Sequence, residues 1–318
     1  MSKTAQSYAL YLFVFIVCIS CSKDKVPLTN YETENVLIIV MDGARYSETG
    51  GDSSHQNTPY LSNDLAPMGI INDNFYNNGP TYTAAGHTAM TTGIYQDINN
   101  SGLESPNLPS IFQYYLRDNP EHQEDAWIVA SKGKLEVLSN CNQSDWHNKY
   151  NPMTNCGIDG LGSGSGYRED SLTYIETLNI LQTHEPKLML VNFREPDYSG
   201  HSGDWNNYLQ GIIKTDEYIF KLIDFIENDA HYQGKTTVFV TNDHGRHLDN
   251  VAEGYVSHGD QCEGCKHINF FTYGPDFKNN TVINHPRGLI DIQATIATLF
   301  HLNMPLGEGK VMNELFKE

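Results

Sequence analysis

The sequence predicts a doubly wound α/β fold, a mostly parallel sheet flanked by helices on both faces. Two observations predict it. Continuous apolar runs, VLIIVMDG (36–43), KLMLVNF (187–193) and TTVFVTND (236–243), read as strands buried on both faces. Between them lie segments whose apolar residues recur at spacings of three and four. A third observation bears on function. Each run delivers an acidic residue, Asp42, Asp197 or Asp243, at or just past its carboxyl end. Open α/β sheets bind ligands at that edge, and core packing alone would not place three carboxylates there.

The remaining elements follow in order. AWIVAS (126–131) and HINFFTYG (267–274) read as further strands. Helical spacing covers 58–68, 84–92, 108–117, 169–183, 204–228 and 289–300. GLGSGSG (160–166) reads as a flexible loop before a helix. The segment 143–166 is expected to cap the site and set specificity.

The first residues read as targeting rather than fold. Lys3 precedes an apolar run, 9–19, too short for the roughly 20 residues of a spanning helix. Ser20-Cys21-Ser22 after that run resembles a bacterial lipobox, with Cys21 the lipidated first residue of the mature protein. The expected organisation is a leader over 1–21, a polar tether over 22–34 and one domain over 35–318. The expected location is exported, periplasmic or cell-surface, held to the membrane by lipid.

The 318 residues suffice for one large α/β domain, and 39% hydrophobic and 11% aromatic residues are globular values. Net charge is −19, from 39 acidic against 20 basic residues, which argues against a nucleic-acid groove. Export alters the reading of the cysteines. Cys141, Cys156, Cys262 and Cys265 remain after the leader and lipid site, and an even number in an oxidising compartment suggests two disulfides. Proximity favours Cys141–Cys156 and Cys262–Cys265. CEGC (262–265) could also be half a zinc knuckle, but no second CxxC exists to complete one.

Seven residues carry the chemistry: Asp42, Thr83, Asp197, His201, Asp243, His244 and His258. Carboxylates and imidazoles with a hydroxyl beside them suit two divalent cations acting on a phosphate ester. Asp197 and His201 share a face if they occupy one helical turn. Thr83 stands at the predicted start of a helix, where backbone N–H groups favour an anion. Thr81, Thr88, Thr91 and Thr92 are rival hydroxyls, and spacing alone does not choose among them. His267 is a rival to His258, and His87 and His247 could line the pocket instead.

This set resembles the alkaline phosphatase superfamily, which includes nucleotide pyrophosphatase/phosphodiesterases, type I phosphodiesterases, cofactor-independent phosphoglycerate mutases and sulfatases. The resemblance runs from about residue 35 to about 273. It implies an alkaline-phosphatase-like fold, with Asp42, Thr83, Asp243 and His244 on one metal and Asp197, His201 and His258 on the other. It also implies Thr83 as nucleophile, because the family's threonine precedes a string similar to TAAGH (83–87), with Ala85 in place of a proline. His258 follows the mutase branch in its position after the Asp-His pair. The sulfatase branch needs a Cys/Ser-x-Pro/Ala-x-Arg string, and threonine stands here instead. One monoesterase branch carries a Lys-x-Arg pair and an asparagine that contact phosphate oxygens. Lys132 and Lys134 in SKGKLEV (131–137) are similar to that pair, and Asn99 and Asn100 are the asparagine candidates.

The expectation is therefore an exported hydrolase of small phosphate esters using two divalent cations, zinc first and manganese second, through a phospho-threonine intermediate. Its first substrate class is a phosphomonoester. Phosphodiester cleavage, phosphoryl-headgroup transfer and a non-catalytic binding lipoprotein are the rivals.

Overall fold

The structure is a computed structural model and describes residues 30–318. The leader and Cys21 lie outside the described residues. The strands are β1 (Asn35–Met41), β2 (Ile70–Asn72), β3 (Phe75–Tyr76), β4 (Ala126–Ala130), β5 (Met153–Cys156), β6 (Leu188–Phe193), β7 (Thr236–Thr241), β8 (Phe270–Tyr273), β9 (Thr281–Ile283) and β10 (Arg287–Gly288). The helices are α1 (Thr83–Thr92), α2 (Ile111–Asp118), α3 (Asp170–His184), α4 (Asp197–His201), α5 (Trp205–Asn228), α6 (Glu263–Lys266) and α7 (Leu289–Leu299).

Eight strands form one sheet in the order β5-β4-β6-β1-β7-β8-β2-β9. All its pairings are parallel except those of β8, which runs antiparallel to β7 and β2. The apolar runs form the buried middle. In β1, Val36, Ile38 and Val40 pack into one core layer, and Leu37, Ile39 and Met41 into the other. That alternation is why a strand covered on both sides must be apolar throughout. Residues of α1, α2 and α7 fill the first layer, and residues of α3 and α5 fill the second. The predicted doubly wound, mostly parallel fold is the one observed.

Element ends follow local chemistry. Ser110 caps α2 by accepting from Gln113 N, so that helix begins at Ile111 rather than at 108. Asp204 does the same for α5 by accepting from Asn207 N. The predicted helix over 58–68 is a π-helical turn, Tyr60–Leu65, followed by a 3-10 turn, Ala66–Met68. Pro67 removes an amide donor there, which prevents one regular helix. The segment 143–166, expected to cap the site, contributes no residue to the pocket that Thr83 lines. It supplies the edge strand β5, and Ser163 packs against Glu136 and Gly102. Among the described residues, no helix is long and apolar enough to cross a membrane.

Candidate active site

The site sits where β1, β6 and β7 end side by side. Asp42 directly follows β1, Asp243 lies two residues past β7, and Asp197 opens the short helix α4 after β6. Asp197 and His201 do share one helical turn. α1 brings Thr83 as its first residue, with the whole helix buried. Two glycines permit the close approach. A side chain at Gly86 would meet the Asp243 carbonyl oxygen at 2.3 Å, and one at Gly43 would meet Asp197 at 2.8 Å. Gly43 also has φ +67° and donates its N–H to Asp243 Oδ1 at 3.1 Å.

The donors form two sets. In the first, Asp243 Oδ2 and His244 Nε2 lie 3.5 Å apart, and Asp42 Oδ1 is 3.6 Å from the same nitrogen. His244 Nδ1 faces the Gly245 carbonyl oxygen at 2.8 Å; with the proton there, its Nε2 lone pair points into the set. Both Asp243 Oδ2 and His244 Nε2 are buried without a hydrogen-bond partner. Orphaned buried groups are costly, and a cation would satisfy both. Burial pushes His244 down to about 3, so the ring is neutral, as a ligand must be. His244 also stacks on His258 at 3.9 Å and converges with Asp197 and His258, so it borders both sets.

In the second set, Asp197 Oδ1, His201 Nε2 and His258 Nε2 make a triangle with edges of 3.3, 3.4 and 3.2 Å. Tetrahedral ligation with bonds of about 2.0–2.1 Å needs edges of about 3.3 Å. His258 Nδ1 lies 2.9 Å from the Thr81 carbonyl oxygen, a contact that turns the Nε2 lone pair inward. The residues thus fit two cations, with one point of conflict: Arg246 donates to Asp197 Oδ1 and faces His201 Nδ1 at 3.2 Å. A proton-accepting Nδ1 leaves the proton on Nε2, so ligation through Nε2 requires Arg246 to release Nδ1.

Lys132 departs most from expectation. It is buried rather than facing substrate. Its Nζ donates to Asp42 Oδ1 at 2.7 Å, Asp197 Oδ2 at 2.6 Å and Thr83 Oγ1 at 3.1 Å. Burial alone would lower the ammonium's pKa, but Asp197, Asp42 and Asp243 outweigh it and hold the group charged. In turn, burial alone would raise Asp197, yet Lys132, the two histidines and Arg246 keep that carboxyl well below its usual range. Lys132 lies between the two sets and is not among the residues lining the pocket that Thr83 lines.

The other basic and amide candidates divide. Thr83, Asn100, Lys134, Tyr167, Asp197, Tyr198, His201, Ser202 and His258 line a pocket of about 370 Å³. Lys134 donates to Asn100 Oδ1 at 2.9 Å, and Ala84 N donates to the same oxygen at 3.0 Å, tying both to the start of α1. Asn99 does not belong. It is exposed, accepts from Ser101 N and donates its own N–H to Glu104. The four cysteines are free thiols, so neither expected disulfide is formed. Cys141 and Cys156 are buried separately, the Cys156 thiol facing the Ile128 carbonyl oxygen, whereas Cys262 and Cys265 converge with His247 and Asp260.

Sequence reasoning missed Arg246 and Asn192 and left His87 as a pocket-lining candidate. Asn192 donates to Asp42 Oδ2 at 2.9 Å from within an otherwise apolar strand. His87 lies 2.9 Å from the Thr83 carbonyl oxygen and 3.4 Å from Asp243 Oδ2, bracing Thr83 and Asp243 together. The available signal for Arg246 was its place in NDHGR (242–246), beside two candidate ligands.

Fold and site agree with the comparisons. The family profile described as Sulfatase matches residues 34–302, and the chain belongs to that family, within the alkaline phosphatase superfamily. A 133-residue stretch is 27% identical to the 2,3-bisphosphoglycerate-independent phosphoglycerate mutase of Haloquadratum walsbyi, covering 42% of this chain and 24% of that protein. The chain thus spans about a quarter of that relative's length. Among solved structures, the phosphonate monoester hydrolase of Silicibacter pomeroyi superposes with TM-score 0.64 at 13% identity over 88% of this chain and 76% of that one. Murine ectonucleotide pyrophosphatase/phosphodiesterase 5 superposes with TM-score 0.62 at 14% identity over 89% of this chain and 100% of that one. A sulfatase from Pseudoalteromonas gives 0.62 at 16% identity over 90% and 72%. At these identities the likeness is one of fold. This superfamily includes hydrolases that use divalent metals, and the chain carries candidate ligand groups for them.

Proposed function

We propose that the chain is a hydrolase of small phosphoric esters that uses Thr83 as nucleophile and two divalent cations. One observation carries the reading: Thr83 lines the pocket at the start of α1, and its Oγ1 accepts from Lys132, whose Nζ also donates to Asp42 and Asp197. A threonine at this point, with no cysteine or serine in the sulfatase string, supports phosphoryl over sulfuryl transfer. Zinc is the preferred cation for mixed carboxylate and imidazole donors, with manganese second. Bound cations would supply the charge that ionises the Thr83 hydroxyl and neutralises the phosphate.

The chain's own groups do the rest. Lys132 donates to Thr83 Oγ1 and stabilises the alkoxide once the proton has left. Lys134 and Asn100 hold non-bridging phosphate oxygens at the pocket wall. Thr83 Oγ1 bonds to phosphorus as the ester oxygen departs with the alcohol, and water then hydrolyses the phospho-threonine.

A specific observation favours phosphodiesters as a second reading. The monoester argument asks for two lysines on the phosphate, and Lys132 is committed to carboxylates. A diester monoanion needs less positive charge than a monoester dianion. The test is kcat/KM for p-nitrophenyl phosphate and bis-p-nitrophenyl phosphate with zinc, against Thr83→Ala. Loss of cleavage in the variant supports the nucleophile, and the preferred ester sets the branch. Cleavage undiminished in Thr83→Ala refutes the reading. Export and lipid attachment at Cys21 belong to the same proposal. Metabolic labelling with a fatty acid, lost in Cys21→Ala, checks them.

A further inference from the structure

We infer that His247, Asp260, Cys262 and Cys265 form a separate, structural cation site of the zinc type beside the catalytic centre. One ligand atom from each converges, all lying within 4.8 Å of one another. Zinc–sulfur bonds of about 2.3 Å and zinc–nitrogen bonds of about 2.0 Å require tetrahedral edges of about 3.3–3.8 Å. One edge is already there, since His247 Nε2 lies 3.2 Å from Asp260 Oδ2. Two sulfurs, one nitrogen and one oxygen suit zinc above harder cations.

The surroundings orient these donors. Cys262 precedes the single turn of α6 and Cys265 lies within it, which turns both sulfurs to one side; Cys265 N and Lys266 N donate to the Cys262 carbonyl oxygen. Asp260 Oδ1 accepts from Cys262 N at 2.8 Å, leaving Oδ2 for the cluster. His247 is 5% exposed, and Ser257 Oγ engages its Nδ1 at 3.0 Å. Its Nε2 is buried without a hydrogen-bond partner and points at the cluster. A disulfide between the two cysteines would leave that nitrogen with only the Asp260 carboxylate at 3.2 Å, whereas a four-coordinate cation uses all four donors. The missing half of the zinc knuckle is thus supplied by Asp260 and by His247, which sequence spacing hides.

The site has work to do where it stands. His247 N donates to the Ser257 carbonyl oxygen, and Gly245 N donates to that of Cys265. Thr81 Oγ1 donates to the Asp260 carbonyl oxygen at 2.6 Å, and Gln261 Nε2 to that of Gly79 at 3.0 Å. A cation here clamps the loop carrying His258 to the loop carrying Asp243 and His244, and both to the approach to Thr83.

The test uses the full chain, stripped of metal and reduced, then titrated with cobalt(II). Three proteins are compared: wild type, Cys262→Ser with Cys265→Ser, and Asp42→Asn with Asp243→Asn. The expected result is thiolate-to-cobalt charge-transfer absorption in wild type and in the aspartate variant, absent in the cysteine variant. Bound metal falls by one equivalent in the cysteine variant. Absence of that absorption from reduced wild type overturns the site, as does its persistence in the cysteine variant. The wild-type spectrum decides even if the cysteine variant does not fold. Because the readout is absorption rather than turnover, it stands or falls apart from the hydrolase reading.

Discussion

Replacing Lys132 by Met removes a buried charge while keeping most of its apolar stem. Lys132 is 1% exposed and donates to Asp42 and Asp197 at 2.7 and 2.6 Å, both of them buried. In cation-free protein the substitution leaves these carboxylates facing each other with Arg246 as the main remaining compensation for Asp197. Breaking one partner out of a buried ion pair costs about 3–5 kcal/mol. With an unfolding entropy of about 2.1 cal/mol/K per residue over a domain of this length, that lowers Tm by roughly 5–8 °C. Divalent cations restore the lost compensation, so the deficit shrinks when they are bound. Thermal melts of wild type and Lys132→Met, in chelator and in saturating zinc, test this. The expected outcome is a large deficit in chelator and a small one in zinc. An equal deficit in both, or none in chelator, refutes the assignment of Lys132 as the cation between the two donor sets.

Other consequences are sharp. Gly86→Ala forces a methyl group against the Asp243 carbonyl oxygen, so it should cost about 1–3 kcal/mol and lower kcat by separating Thr83 from Asp243; unchanged kcat and Tm would contradict this. Asn100→Ala removes the acceptor for Ala84 N and Lys134, destabilising by about 0.5–2 kcal/mol and raising KM, whereas Asn99→Ala leaves KM unchanged; equal effects would return Asn99 to the site. Burial, then the neighbouring Lys132, pushes Lys134 down to about 8, so its positive charge is present below that pH and lost above it. KM for an anionic ester should rise as pH passes through about 8, and Lys134→Arg should abolish the rise because guanidinium stays charged. A wild-type KM that is flat with pH denies Lys134 a part in substrate binding.

The middle of the sheet was legible because β1, β6 and β7 are apolar on both faces, and their terminal acids announced the site. β5 was not, since MTNC (153–156) has no apolar run and is strand only by pairing with β4. The ligand types and the Asp197–His201 turn were readable from spacing. Lys132 was not, because nothing local distinguishes a lysine that ends among three carboxylates from one in solvent. Asn99 and Asn100 show the same limit: adjacent residues in one turn point to different neighbours, and only the fold selects between them. Cys262 and Cys265 looked like a disulfide because their two companions, Asp260 and His247, do not repeat the CxxC spacing.

The glycine-rich loop at 160–166 divides the chain so that Asp42 and Thr83 precede it while Asp197, His201, Asp243, His244 and His258 follow it. A cut there yields two fragments, each holding part of the machinery and neither holding a working share. β1 belongs to the first fragment and its neighbours β6 and β7 to the second, so turnover requires the second fragment to accept β1 as its central strand. On the proposed reading, ester cleavage by the mixed fragments is the expected gauge of interstrand assembly, and its absence from either fragment alone is the control.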